Sequence, residues 1–255
     1  IVGNGKTITY TPTSLENNQI SVFKSIGTTD DTFSAISGLV VDIDFDFDLV
    51  SDNVQMAGLV QYIGQNATNP SIMIYAVGVT GNVELGSTGT ANFGGIVSNM
   101  YRGMISNSYA DLDIFYHAGA DRRDSGGQTY YFAQSTLSAI TNVQDGLVEI
   151  YNTFAMGNVK SYVPANIYTF NSYSTANETQ TYRTRIFDSY SVMQVETEDY
   201  GFNNNSGDEV VSYGNYNISN FQASTLSNSY YSDYSGLIGV KTRIEGTNYI
   251  TEIDS

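Results

Sequence analysis

The chain has no cysteine, no tryptophan, one histidine, three prolines and only ten Lys and Arg among its 255 residues. Each scarcity excludes something. Without cysteine there is no disulfide frame and no thiolate metal site. The single histidine, His117, excludes a His-rich zinc site. A Ser-His-Asp triad would have to run through it, and no Gly-x-Ser-x-Gly elbow is present. Ten cations against 26 acids leave a net charge of −16. That balance repels nucleic acid and anionic membrane, both of which recruit Lys and Arg. The only adjacent basic pair is Arg122-Arg123. No run of 18 apolar residues offers a transmembrane helix, and no basic segment with an apolar core marks a leader. The chain opens on Ile1, and Gly246–Asp254 reads as the start of a further repeat. Both point to a segment of a longer repeat protein.

What is abundant points to strands. Apolar residues make up 41 % of the chain, enough for a large core, and charged residues only 14 %, against about 25 % in an average domain. Twenty-one Tyr and twelve Phe suit a pleated, half-buried surface. Within this composition a short phrase recurs: Asn107-Ser-Tyr109, Asn152-Thr-Phe154, Asp188-Ser-Tyr190 and Asn228-Ser-Tyr230, at steps of 45, 36 and 40 residues. A second phrase lies between copies, as Ala57-Gly-Leu-Val60, Gly94-Gly-Ile-Val97 and Ser235-Gly-Leu-Ile-Gly239. Self-similarity at this period signals stacked repeats whose apolar faces bury one another.

Strand patterning is clearest at Val41–Leu49, where Ile43, Phe45, Phe47 and Leu49 take one face and Asp42, Asp44, Asp46 and Asp48 the other. Ile72–Val79 and Gly146–Tyr151 read likewise. Ser51–Gln61 and Ser135–Val143 come nearest to helices but lack a clear period with caps, and the second is read as a short helical insertion. Two strand phrases per repeat imply two coils per repeat of a β-solenoid. Ile105, Ile150, Ile186 and Leu226 should then share an inward column, and the repeated Asn residues should sit at turns that accept a left-handed backbone. Inserted loops are placed at 117–129, 160–183 and 199–215, and their lengths account for the uneven steps. No segment has the composition of an interdomain linker, so residues 1–255 form one domain.

Gly94-Gly-Ile-Val97 followed by Gly103-Met-Ile-Ser-Asn-Ser-Tyr-Ala110 resembles the GLUG repeat, and Ser235–Gly239 with Ile244–Asn248 looks like a second copy. Ser98 stands where that motif has Gly, and Thr129–Ala133 fills a Gly-Leu-Val slot without its glycines. The resemblance implies a parallel β-helix on a large bacterial surface protein such as an adhesin or the non-catalytic region of an immunoglobulin A metalloprotease. The motif is structural, so it carries over no catalytic residue.

Candidate chemistry is sparse. Asp42, Asp44, Asp46 and Asp48 form a row of carboxylates about 6.6–7 Å apart, whose repulsion a calcium ion would relieve. The competing reading is a solvated strand face. Asp111 with Asp113, and Asp121 with Asp124, are the carboxylate pairs available for glycoside hydrolysis. Gly3-Asn-Gly-Lys-Thr7 resembles a phosphate loop only in composition and reads as a turn. Tyr130-Tyr131, Tyr213 with Tyr216, and Tyr230-Tyr231 with Tyr234 are either stacking platforms or a ladder along the repeats. The sequence therefore predicts an all-β, single-domain, right-handed parallel β-helix with irregular loop insertions. It predicts a non-enzymatic structural or adhesive module outside the cell or on its surface, with no cofactor unless calcium. Its partners would be an extracellular protein, a glycan or further copies of itself. The rivals are a polysaccharide-active β-helix and a filament subunit.

Overall fold

The computed structural model describes residues 1–27, 33–50, 53–64, 71–118, 122–125, 128–131, 135–144, 148–161, 166–168, 170–174, 184–197, 224–227, 229–232 and 250–253. Among them every regular element is a strand, and no helix is long and apolar enough to cross a membrane.

The chain runs through β1 (Val2–Tyr10), β2 (Gln19–Ile20) and β3 (Phe23–Ile26), then β4 (Phe33–Val50), β5 (Val54–Ala57) and β6 (Val60–Ile63). It continues through β7 (Ser71–Ser87), β8 (Ala91–Gly94), β9 (Val97–Met100), β10 (Gly103–Ser106) and β11 (Tyr109–Ala118). The hairpin strands β12 (Arg122–Ser125) and β13 (Gln128–Tyr131) follow, then β14 (Thr136–Ser138) and β15 (Thr141–Gln144). The next set is β16 (Val148–Tyr151), β17 (Phe154–Ser161), β18 (Asn166–Tyr168) and β19 (Asn171–Ser174). Last come β20 (Thr184–Phe187), β21 (Tyr190–Ser191), β22 (Gln194–Thr197), β23 (Ser224–Ser227), β24 (Ser229–Ser232) and β25 (Ile250–Ile253).

These strands form one 13-stranded sheet and two five-stranded sheets, all parallel, with the β12–β13 hairpin as the antiparallel exception. The large sheet holds β1, β4, β7, β10–β11, β16–β17 and the strands from β20 onward, apart from the hairpin. One smaller sheet runs β2, β5, β8, β14, β18, and the other β3, β6, β9, β15, β19. Each repeat gives one strand, or one strand broken at a corner, to the large sheet, and through β19 one strand to each small sheet. Asp111 pairs with Met156 directly, although they are 45 residues apart. The expected two coils per repeat are therefore corrected to one layer. The second strand phrase is the next side of the same layer, about 4.8 Å of advance per repeat.

The expected column pairs in register, extends to two earlier strands, and is inward where burial is described, from Ile36 to Ile150. Ile36, Ile74, Ile105, Ile150, Ile186 and Leu226 pair in that order. The first four are at most 1 % exposed. Burial of each such side chain contributes roughly 1.5–3 kcal/mol. All three parallel sheets feed the same core, with Val41, Phe45, Met56, Val60, Phe93 and Val97 in one buried cluster.

The recurring phrase is a corner. Gly38, Ala76, Asn107, Asn152 and Asp188 all have a left-handed backbone, with φ between 44° and 61°. Asn and Asp reach that region at lower cost than most residues. The following Ser or Thr is buried and ties adjacent layers. Ser108 Oγ donates to the Ser106 carbonyl at 2.8 Å and accepts from the Val77 N–H of the preceding layer at 3.2 Å. Thr153 Oγ1 donates to the Tyr151 carbonyl, and Ser189 Oγ accepts from the Thr153 N–H. Corner backbone groups that the ladder leaves over thus find partners inside the core.

Several local expectations change. Ser51–Gln61 and Ser135–Val143 carry strands β5–β6 and β14–β15, not helix, because β-branched residues and a Gly or Ala corner divide each stretch. The Gly-Leu-Val slot assigned to Thr129–Ala133 belongs to Ser138–Thr141, which pairs with Gly94 and Val97. Gln128–Tyr131 instead pairs with Arg122–Ser125 in the inserted hairpin. The inserted loop at 160–183 is corrected in part, since β18 and β19 lie inside it. Gly3–Thr7 lies in β1, where Asn4 and Gly5 take left-handed conformations and shift the register against β4. The loop at 199–215, Asn228, Ser235–Gly239, and the tyrosines at 213, 216 and 234 lie outside the described residues.

Candidate functional site

The outer face of the large sheet is built by position relative to the corner. Six residues past each left-handed corner come Asp44, Asn82, Asp113, Asn158 and Gln194, which pair across five strands. Four residues past the corner come Asp42, Thr80, Asp111 and Met156. Eight past it come Asp46, Glu84, Phe115, Lys160 and Glu196. In the first two columns an acid always faces a neutral residue. Like charges directly opposite one another destabilise a sheet, and here acids in one column are two layers, about 10 Å, apart. In the third column Asp46 does face Glu84, so the alternation keeps carboxylates apart in two of the three columns.

The aspartate row lies at the start of this pattern. Asp42 is half-buried and accepts a hydrogen bond from Thr80 Oγ1 at 3.1 Å, while Asp44 and Asp46 are exposed. Asp48 is in the same strand, β4. Neighbours on β7 are Thr80, Asn82 and Glu84. Among the described residues no three His, Cys, Asp or Glu side chains come together in an arrangement for a metal ion.

One built part of the face, among the described residues, lies on β7, β11 and β17. Asn82, Glu84, Asp113, Phe115, Asn158 and Lys160 rim a shallow groove of about 340 Å³, floored by Val83 and Ile114. Asp113 Oδ1 accepts the side-chain amide of Asn158 at 2.7 Å and its backbone N–H at 3.2 Å. Phe115 is half-buried, with its ring tilted 41° against His117 at 5.5 Å. His117 Nδ1 lies 3.8 Å from Glu84 Oε1. The single histidine is thus a flank of this groove, beside a carboxylate and an aromatic ring.

Asp111 and Asp113 share the outer face of β11, both exposed, and Asp113 is committed to Asn158. Asp124 belongs to hairpin strand β12, and Asp121 lies outside the described residues. A second surface feature runs beside the corner. The rings of Tyr109 and Phe154 stack at 5.2 Å, and those of Phe154 and Tyr190 at 5.1 Å, both within 9° of parallel. Tyr230 pairs next in register. This is an aromatic ladder along the repeats, and it makes the aromatic of the Asn-x-aromatic phrase a stacking element between layers.

Sequence reasoning missed Asn82, Glu84, Phe115, Asn158 and Lys160. The signal that finds them is their constant offset from the corner residue. Comparison with protein-family models, with curated proteins and with solved structures gives no match to this chain.

Proposed function

We propose that this chain is a non-enzymatic structural and adhesive module of an extracellular or cell-surface protein. Its three parallel sheets would close into a right-handed parallel β-helix that holds its outer faces rigid for contact. The observation that carries this reading is the in-register outer face. A polar column six residues past each corner repeats over five layers, spreading side chains along the stack instead of converging them on one cleft. The phrases at Gly94–Val97 and Gly103–Ala110, which resemble GLUG repeats, point the same way.

The test is a screen of neutral and acidic polysaccharides with mass-spectrometric product analysis. The reading expects no products. Reproducible cleavage that disappears in Asp111→Asn, Asp113→Asn or Asp124→Asn would replace it with a polysaccharide-active β-helix.

A further inference from the structure

We propose that the groove on β7, β11 and β17 is a subsite for a neutral oligosaccharide. The inference rests on the display reading above and names what one displayed face binds.

A solvated sheet face needs no fixed geometry, but this one has it. Both bonds from Asn158 fall on Asp113 Oδ1, which holds the carboxylate in place. No protein donor among the described residues occupies Asp113 Oδ2. Across the groove the exposed Asn82 side chain makes no hydrogen bond to any described residue. One side of the groove therefore offers a free carboxylate oxygen, and the other an amide donor and acceptor. A pair of neighbouring sugar hydroxyls, each able to donate and accept, matches that set.

The second requirement of a sugar is an apolar platform for its C–H face. Phe115 sits two residues beyond Asp113 on the same outer face, about 6.6 Å along the strand. Its ring is half-exposed and steadied by His117. An apolar ring with polar groups close by offers a sugar both a face to stack on and hydrogen-bond partners.

Charge selects among sugars. Glu84, Asp113 and Lys160 leave the rim net negative, within a chain of net charge −16. Uronate, sulfate and phosphate groups are repelled. A metal ion is disfavoured too, since no three acidic or imidazole ligands converge among the described residues. The volume, about 340 Å³, lies at the low end of small-ligand sites, which begin near 300 Å³. Only a short stretch of sugar fits, so binding is weak per site. The rigid strands hold the groups in place before the ligand arrives, which limits the ordering cost.

The test uses the full chain labelled with nitrogen-15. It is titrated with neutral hexose and N-acetylhexosamine tetrasaccharides in α- and β-linkage, and with tetragalacturonate as the acidic arm. At least one neutral tetrasaccharide should give saturable shifts of the Asn82 and Asn158 side-chain amides, with Kd in the millimolar range or tighter. Asp113→Asn, which keeps an acceptor for Asn158, and Phe115→Ala should each weaken binding at least fivefold, about 1 kcal/mol. Circular dichroism checks that each variant stays folded, and Asp111→Asn, outside the groove, should bind as the parent does. The inference is overturned if no neutral sugar saturates, if tetragalacturonate binds better, or if folded Asp113→Asn and Phe115→Ala bind unchanged. Product analysis of the same samples separates the two readings. Cleaved sugar would sink the display reading while keeping the site, whereas absence of binding with intact sugar removes only the site.

Discussion

Replacing Ile105 with Ala tests the inward column at its centre. Ile105 is fully buried and pairs with Ile74 on one side and Ile150 on the other. The change deletes three carbons, worth roughly 2.4 kcal/mol at about 0.8 kcal/mol each. A residual cavity between two close-packed layers adds to this, giving about 3–4 kcal/mol, within the range for Ile→Ala in cores. For a chain of this size that lowers Tm by roughly 6–15 °C. Met104 is the control. It is the adjacent residue, half-exposed on the outer face, and Met104→Ala should cost under about 1 kcal/mol. Thermal unfolding followed by circular dichroism reads both. A one-residue slip in a strand reverses every side chain. If Met104→Ala cost as much as Ile105→Ala, the register of the large sheet would be wrong.

Three further outcomes follow from the same geometry. Gly81 has φ of 121°, and an added Cβ would overlap the Ile43 carbonyl, so Gly81→Ala should cost about 3 kcal/mol by urea unfolding. Gly5→Ala, left-handed but facing open space, should cost only about 1–2 kcal/mol, and equal losses would contradict the close approach at Gly81. Burial raises the Tyr10 phenol above its ordinary value near 10. Its contribution is fully present below that pH and fades as pH climbs through the raised value, so Tyr10→Phe should flatten the alkaline fall in stability. An unaltered alkaline profile in that variant would count against the assignment. Chelator should leave Tm unchanged, because among the described residues no ligand set converges on Asp42, Asp44 and Asp46; a lower Tm with chelator, lost in Asp44→Asn with Asp46→Asn, would place calcium on the row.

The strand character, the inward Ile column and the left-handed Asn positions were legible because each depends on local spacing. Period two in β4 and the Asn-x-aromatic phrase needed no knowledge of which strands meet. The number of layers per repeat was not legible, since a strand phrase reads the same on any side of a layer. The earliest repeats were hidden for a different reason. Gly38 and Ala76 fill the corner in place of Asn, and hydrophobic Leu39 and Val77 replace the Ser or Thr that ties later corners. The groove escaped notice because Asn82, Asp113 and Asn158 are 31 and 45 residues apart and meet only through register. Counting six residues on from each corner would have lined them up.

The central claim is that one repeat makes one layer, and the absence of native cysteine allows a direct measurement. Asp111→Cys combined with Met156→Cys places two thiols in register on neighbouring strands. Their Cα atoms should lie about 4.8 Å apart, inside the 4.4–6.8 Å range of disulfides. Thr80→Cys with Met156→Cys spans two layers, about 9.6 Å, beyond that reach. Mild oxidation followed by intact-mass measurement should show the 111–156 pair losing two hydrogens while the 80–156 pair keeps free thiols. Free thiols in a folded 111–156 variant would contradict one layer per repeat.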